Sequence, residues 1–207
     1  MIAEIGHFAL ILAFVLSLVQ STIPHYGAVK RHTGMMAVAQ STAIGQLVFL
    51  IAAFICLTVA FVVSDFSVQL VAMNSHSDKP LVYKIAGVWG NHEGSMLLWV
   101  LILGIFGGAV AIFGKNLPKT LLARTLAVQG LIGAAFLAFI LFTSNPFIRL
   151  DPAPVNGNGL NPLLQDPGLA THPPFLYMGY VGFSIAFSFA IAALIEGKVE
   201  PAWARWV

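Results

Sequence analysis

The charged residues of this chain are spaced so widely that they leave five long apolar stretches between them. No Asp, Glu, Lys or Arg occurs within residues 5–29, 32–64, 94–114, 125–148 or 167–195. A helix needs about 20 consecutive apolar residues to cross about 30 Å of hydrocarbon, and every one of these stretches is long enough. The composition agrees: 58% of the 207 residues are hydrophobic and 9% are charged, where a soluble domain carries about 45–50% and about 25%. A soluble globular enzyme, a disordered chain and a nucleic-acid binder are excluded. The formal net charge of +2 is too small to call for a polyanionic partner. A single cysteine, Cys56, excludes an intrachain disulfide framework, a Cys-x-x-Cys redox pair and a cysteine-built zinc site.

The expected fold is all-α, a polytopic membrane protein with spans at 5–24, 39–62, 94–114, 125–144 and 175–195. The polar start of the second stretch, His32 to Gln46, is expected to lie at the surface or to lead into the helix. The first span is not read as a cleaved signal peptide. Its tail, Met-Ile-Ala-Glu, has no cation, and no small-residue cleavage site follows the apolar run.

Lys and Arg set the orientation. Lys30 and Arg31, then Lys115, Lys119 and Arg124, then Lys198 and Arg205 put seven cations on one face, against Lys79, Lys84 and Arg149 on the other. The richer face is expected in the cytoplasm. The N-terminus then lies outside, the C-terminus inside, and loops 63–93 and 145–174 face outward. No charge falls at mid-membrane, and no polar translocation path is apparent in the five spans, which argues against a pump or transporter. Small residues at helical spacing, Gly104 with Gly108, Gly107 with Ala111 and Gly130 with Ala134, predict close helix packing. Cys56, mid-span, is expected to be an inert packing residue.

The outer loops carry the rest of the information. Seven of the 11 prolines fall within 146–174. Each fixes its own φ and pushes its predecessor toward extended geometry, while Asn-Gly and Pro-Gly mark tight turns. Leu160, Leu163, Leu164 and Leu169 are expected to anchor this stretch as a stiff, folded loop. His172 stands at its end, held at the membrane edge by two prolines. An imidazole there suits metal binding, proton shuttling or a bond to a carbonyl, and the residues alone leave these open. The other outer loop ends in Trp89-Gly-Asn-His-Glu-Gly-Ser95. Asn91 reads as the N-cap of the third span, Glu93 as a carboxylate in its first turn, and Trp89 and Trp99 as interface anchors. His92 and Glu93 are not a metal motif by themselves, since no His-Glu-x-x-His follows.

Taken together, Trp89-Gly-Asn-His-Glu-Gly-Ser95, Leu160-Asn-Pro-Leu-Leu-Gln-Asp-Pro-Gly168 and His172-Pro-Pro-Phe-Leu-Tyr-Met-Gly-Tyr-Val-Gly182 resemble the N-terminal part of the CcmF/NrfE family of cytochrome c-type biogenesis proteins. The resemblance covers the whole chain. It implies a polytopic haem lyase of the bacterial inner membrane with periplasmic functional loops. Such a protein receives b-type haem from the chaperone CcmE and works with CcmH and CcmI, which present apocytochrome c. Two thioether bonds then form between haem vinyls and the thiols of a Cys-x-x-Cys-His sequence. By the same resemblance His172 is one of two periplasmic histidines that ligate the incoming haem. Arg149 is a candidate partner for a haem propionate, because a guanidinium fork matches a carboxylate; a positioning charge at the membrane surface is the plainer reading of it.

Family chains are much longer. The tryptophan-rich WWD segment, the second periplasmic histidine and the ligands of a resident haem are missing from these 207 residues. The chain is therefore expected to be a fragment or a split-gene product, inactive alone. Two other readings stand beside this one: a haem or small-molecule membrane transporter, and a non-catalytic scaffold that docks CcmE and CcmH.

Overall fold

A computed structural model describes residues 1–198 and Ala204; Arg205, counted above among the cations, lies outside the described residues. The all-α expectation holds. The described residues form the helices α1 (Ile2–Lys30), α2 (Thr33–Val62), α3 (Gln69–Asn74), α4 (Leu81–Gly87), α5 (His92–Phe113), α6 (Lys119–Thr143) and α7 (Pro167–Glu196). Among them α1, α2, α5, α6 and α7 are long and apolar enough to cross a membrane, as a multi-pass membrane protein requires. They run alternately up and down. One end of the bundle carries the N-terminus, α3, α4 and the proline-rich segment. The opposite end carries the two short connections, α1 to α2 and α5 to α6.

The long helices overrun the expected spans. With 29 residues, α1 rises about 43 Å, against about 30 Å of hydrocarbon. Cations mark the edge of the membrane rather than the end of a helix. The loop expected over residues 25–38 is therefore almost absent. Arg31 adopts the left-handed conformation (φ 53°) and closes α1, and His32 caps α2 by accepting the Met35 N–H on Nδ1 at 3.2 Å. The polar segment His32 to Gln46 is helical from Thr33 onward, with Met36, Ala39, Thr42, Ala43 and Gln46 buried. Between α5 and α6 only a 3-10 turn, Gly114–Asn116, and Leu117-Pro118 intervene. Arg124, placed in that loop by its charge, lies within α6 and pairs with Glu196 at the end of α7, Nε to Oε1 3.0 Å.

Helices α1 and α2 form an antiparallel pair. On it α6 packs against α1 and α5 against α2, while α7 lies outside, against α5 and α6. Leu10, Leu50, Leu57, Phe61, Leu97, Leu103, Leu137 and Ile140 fill the centre. The small-residue stripes do what their spacing predicts. A Cβ on Gly104 would meet a δ-methyl of Leu50 at 2.8 Å and one on Gly108 a δ-methyl of Leu47 at 2.6 Å, so the two glycines let the α2 leucines pack directly onto the α5 backbone. Cys56 is half-buried against the centre of the bundle.

The expectation of spans without interior polar groups needs correction. Gln20, Gln46 and Gln129 are buried inside the bundle. Gln20 donates to the Leu126 carbonyl at 2.8 Å. Gln129 donates to the Leu103 carbonyl at 3.2 Å and to Ser184 Oγ at 3.1 Å, and accepts from Ser188 Oγ at 2.8 Å. Glutamine carries no charge and so leaves no mark on a charge map. Gln20 and Gln129 tie neighbouring helices together, as buried polar side chains do in membranes.

Candidate functional site

The end of the bundle that bears α3 and α4 is built by two segments docked on one another. Residues 148–150 pair with the start of the other connection: the Gln69 N–H donates to the Ile148 carbonyl at 2.9 Å, and the Leu150 N–H to the Ser67 carbonyl at 2.8 Å. Arg149 fastens this seam. Its Nε and one terminal nitrogen grip Glu4 at 2.8 Å each, and the other terminal nitrogen reaches Asp65 at 3.1 Å and Ser67 Oγ. Burial pushes the Asp65 carboxyl up, but the hydrogen bond from Ser67 and the Arg149 charge outweigh it and hold the group below the usual carboxylate range. Burial likewise works against the Arg149 charge, yet its bonds with Glu4 and Asp65 raise it above its ordinary value. No hydrogen bond or ion pair joins Arg149 to His172.

The proline-rich segment continues across this seam. Asn158 and Gly159 donate their N–H groups to Ala72 and Ser75 at 2.8 and 3.0 Å. Of the four leucines expected to anchor the loop, Leu160 is buried and Leu164 half-buried, whereas Leu163 and Leu169 are exposed.

The stretch Trp89 to Ser95 is a double cap. The Asn91 side chain donates to the Gly87 carbonyl at the end of α4 (2.7 Å) and accepts the Gly94 N–H at the start of α5 (2.7 Å), so its expected N-cap role is observed. Gly94 has no alternative: a Cβ there would stand 1.6 Å from the Val88 carbonyl oxygen. Ser95 Oγ donates to the Trp89 carbonyl at 2.8 Å. Trp89 is half-buried, and its indole N–H reaches α7, donating to the Ala170 carbonyl at 2.8 Å.

Helix α7 begins eight residues before the expected span, so the loop expected over 145–174 ends at Asp166. The start is well signalled. Asp166 caps it by accepting the Leu169 N–H at 3.0 Å, and Pro167 occupies the first helical position, where its missing N–H is no loss. His172 therefore stands on a helix, not on a loop. Pro173 and Pro174 lie inside that helix. Lacking N–H groups, they leave the carbonyls of Leu169 and Ala170 without their usual partners four residues on. Ala170 is buried, and a buried unpaired carbonyl costs about 1–3 kcal/mol. The Trp89 indole fills that vacancy.

Four imidazoles lie toward this end. His7 bonds Asn145 at 2.9 Å. His76 accepts the Asp78 N–H at 3.2 Å. His92 Nε2 lies 3.0 Å from Ser144 Oγ. Among the described residues His172 has no partner, and it is exposed. Phe175 and Leu176, one turn below, present apolar surface. Beside them Tyr177 leans on Trp99 (centroids 5.3 Å), which stacks on Phe136 (5.8 Å). Trp99 is thus a packing residue between α5, α6 and α7. A cleft of about 380 Å³, lined by His92, Met96, Ala135, Phe136 and Phe139, opens beside that stack. Glu93 lines a smaller polar cleft of about 140 Å³ with Gln69, Asn74, Ser144 and Asn145.

Among the described residues no three His, Cys, Asp or Glu side chains gather to hold a metal ion. A bare ion wants several protein ligands. Iron porphyrin wants only axial ones, because its ring supplies the equatorial nitrogens. A lone accessible imidazole above apolar side chains fits the second case. The Trp89–Ala170 contact escaped sequence reasoning. Its signal was present in the consecutive prolines, which orphan two carbonyls, and in a tryptophan that needs an acceptor.

Residues 89–206 match the family described as cytochrome C assembly protein. Over 207 residues the chain is 67% identical to the cytochrome c-type biogenesis protein ccl1 of Rhodobacter capsulatus, covering all of this chain and 32% of that protein. It is 63% identical to CycK of Bradyrhizobium diazoefficiens, covering 31% of it, and 49% identical to CcmF of Escherichia coli, covering 32%. A solved structure titled cytochrome c heme lyase CcmF superposes with a TM-score of 0.86 at 25% identity, over the whole of this chain and 33% of that one. The chain thus spans about a third of the length of the curated relatives it matches.

Proposed function

Because this chain belongs to the cytochrome c assembly protein family, we propose that it forms the N-terminal, haem-presenting part of a membrane cytochrome c haem lyase, with His172 as an axial ligand to the incoming haem. The observation that carries this reading is the state of the imidazoles. His7, His76 and His92 have bonding partners at the same end of the bundle, and His172 has none among the described residues.

Each residue of the site then has a physical task. His172 holds iron through a neutral ring nitrogen and leaves the other N–H for a partner outside this chain. Pro173 and Pro174 restrict the backbone beneath it, so little conformational freedom is lost when the ligand is engaged. Phe175 and Leu176 offer apolar contact to a macrocycle. Bound there, haem supplies the vinyl groups on which thioether bonds to apocytochrome c form. Arg149 is the weaker candidate for a propionate, since Glu4 and Asp65 already occupy its fork and must be displaced first.

The end bearing α3, α4 and the proline-rich segment faces the periplasm of a bacterial inner membrane in this reading, in accord with the Lys and Arg asymmetry. CcmE is the proposed haem donor, and CcmH and CcmI present apocytochrome c. The transporter reading loses support, because buried Gln20 and Gln129 are engaged in bonds between helices.

Replacing His172 with Ala in the full-length protein tests the proposal. Haem retained by the purified protein and the yield of c-type cytochrome are both expected to fall at least tenfold, since loss of a residue that merely orients a metal ligand already costs about 10–100-fold. Unchanged values for both would remove the ligand assignment.

A further inference from the structure

We propose that Trp89 is a positioning residue for His172, acting through the Ala170 carbonyl; the inference rests on the reading of His172 as an axial ligand. The contact is 2.8 Å long and joins residues 81 apart in sequence. Its fixed end is rigid. The Trp89 carbonyl is held by Ser95, Asn91 bridges α4 and α5, and Gly94 lets the turn close against Val88. Its other end grips the first turns of α7 where the helix cannot bond to itself, because residue 174 is proline.

The geometry of a helix supplies the rest. Residues two apart are about 200° apart around the axis. Ala170 is buried and its carbonyl meets the indole, whereas His172, on the opposite face of the helix, is exposed. The indole holds the back of the turn while the imidazole is shown at the front. Gly90 extends the grip. A Cβ there would stand 3.1 Å from Leu160 and 3.3 Å from Leu164, so the segment leading into α7 packs on the Trp89–Ser95 turn.

A contact that merely satisfied an orphaned carbonyl would look the same, and one substitution separates the two roles. Pro174→Ala restores an N–H that the Ala170 carbonyl can accept within the helix, so the indole is no longer needed for satisfaction but is still needed as a tie between the α4–α5 turn and α7. The experiment uses the full-length protein loaded with haemin. It follows the low-spin optical signature of imidazole-ligated haem, haemin retention, and thermal stability, in Trp89→Phe, Pro174→Ala, the double variant, His172→Ala, and Trp89→Phe with His172→Ala.

Trp89→Phe is expected to shift the spectrum toward high spin and to weaken haemin retention about tenfold, as loss of a ligand-orienting contact does. In the double variant with Pro174→Ala stability returns while the spectral defect stays. In the His172→Ala background Trp89→Phe adds no further loss. Recovery of the spectrum as well as stability in the Pro174→Ala double variant would overturn the proposal, since Trp89 would then only fill a carbonyl. A Trp89→Phe protein with the native spectrum, beside a His172→Ala protein that loses it, would overturn this inference alone. A His172→Ala protein with the native spectrum would remove the ligand reading and this inference with it.

Discussion

Arg149 shows how a residue can be identified from sequence while its surroundings remain hidden. The guanidinium was visible as a lone outer-face cation beside the proline-rich segment. That it would be gripped by Glu4, 145 residues away, and by Asp65 was not visible, because α1 and the pairing of residues 148–150 with 67–69 bring those carboxylates to it only in the folded chain. The arrangement gives a pH dependence of definite sign. The Asp65 carboxyl sits below the ordinary carboxylate value of about 4. It therefore contributes stability that is fully present above that value and is lost as pH falls through its lower folded value. Hydrogen exchange at the Gln69 and Leu150 amides, corrected for intrinsic rate, should show protection that is flat from neutral pH to about pH 5 and then declines. Arg149→Met should lower that protection at neutral pH and weaken its acid dependence, the Ser67 hydrogen bonds to Asp65 keeping the remainder. Protection in Arg149→Met equal to that of the native protein would contradict the tether.

At the scale of elements, the start of α7 and the Trp89–Ser95 turn decide how the candidate ligand is presented. Asp166→Ala removes the cap and should destabilise the first turn by about 1 kcal/mol. Local exchange at Leu169 and Ala170 measures this directly, and unchanged protection would mean the proline at the first position suffices without the cap. Gly94→Ala is a harsher change. Its Cβ would overlap the Val88 carbonyl, so α4 and α5 must separate, and a large drop in folded yield is expected, read by fluorescence-detected gel filtration. A native yield would show that the turn can relax. Here the sequence was partly legible. Asn91 declared itself as a cap, and Asp166 followed by Pro167 is a helix-start signal, but Pro173 and Pro174 masked it by reading as breakers. The short helices α3 and α4 lacked the length for a periodic pattern to emerge.

For the whole molecule, charge spacing alone was enough to establish five membrane-crossing helices, because lipid penalises charge so strongly. It could not show how the helices pack, since glutamines and glycines decide that and neither is charged. Gln129 is the clearest case. Gln129→Leu removes the bonds that tie α6 to the Leu103 carbonyl of α5 and to Ser184 and Ser188 of α7, and should cost about 1 kcal/mol, within the range of hydrogen bonds between membrane helices (about 0.6 on average, up to about 2), as read by a melting shift in detergent. No shift would mean the residue is only filling space. The orientation has an equally direct check. Val155 is fully exposed on the proline-rich segment, so Val155→Cys in a background with Cys56→Ala should react with an impermeant maleimide added from the periplasmic side. Reaction only after the membrane is opened would invert the topology. The measurement that bears most directly on the whole account is imidazole rescue of His172→Gly in the full-length, haemin-loaded protein. The account predicts that the variant loses the low-spin spectrum and that added imidazole restores it; a His172→Gly spectrum identical to the native one, indifferent to imidazole, would contradict it.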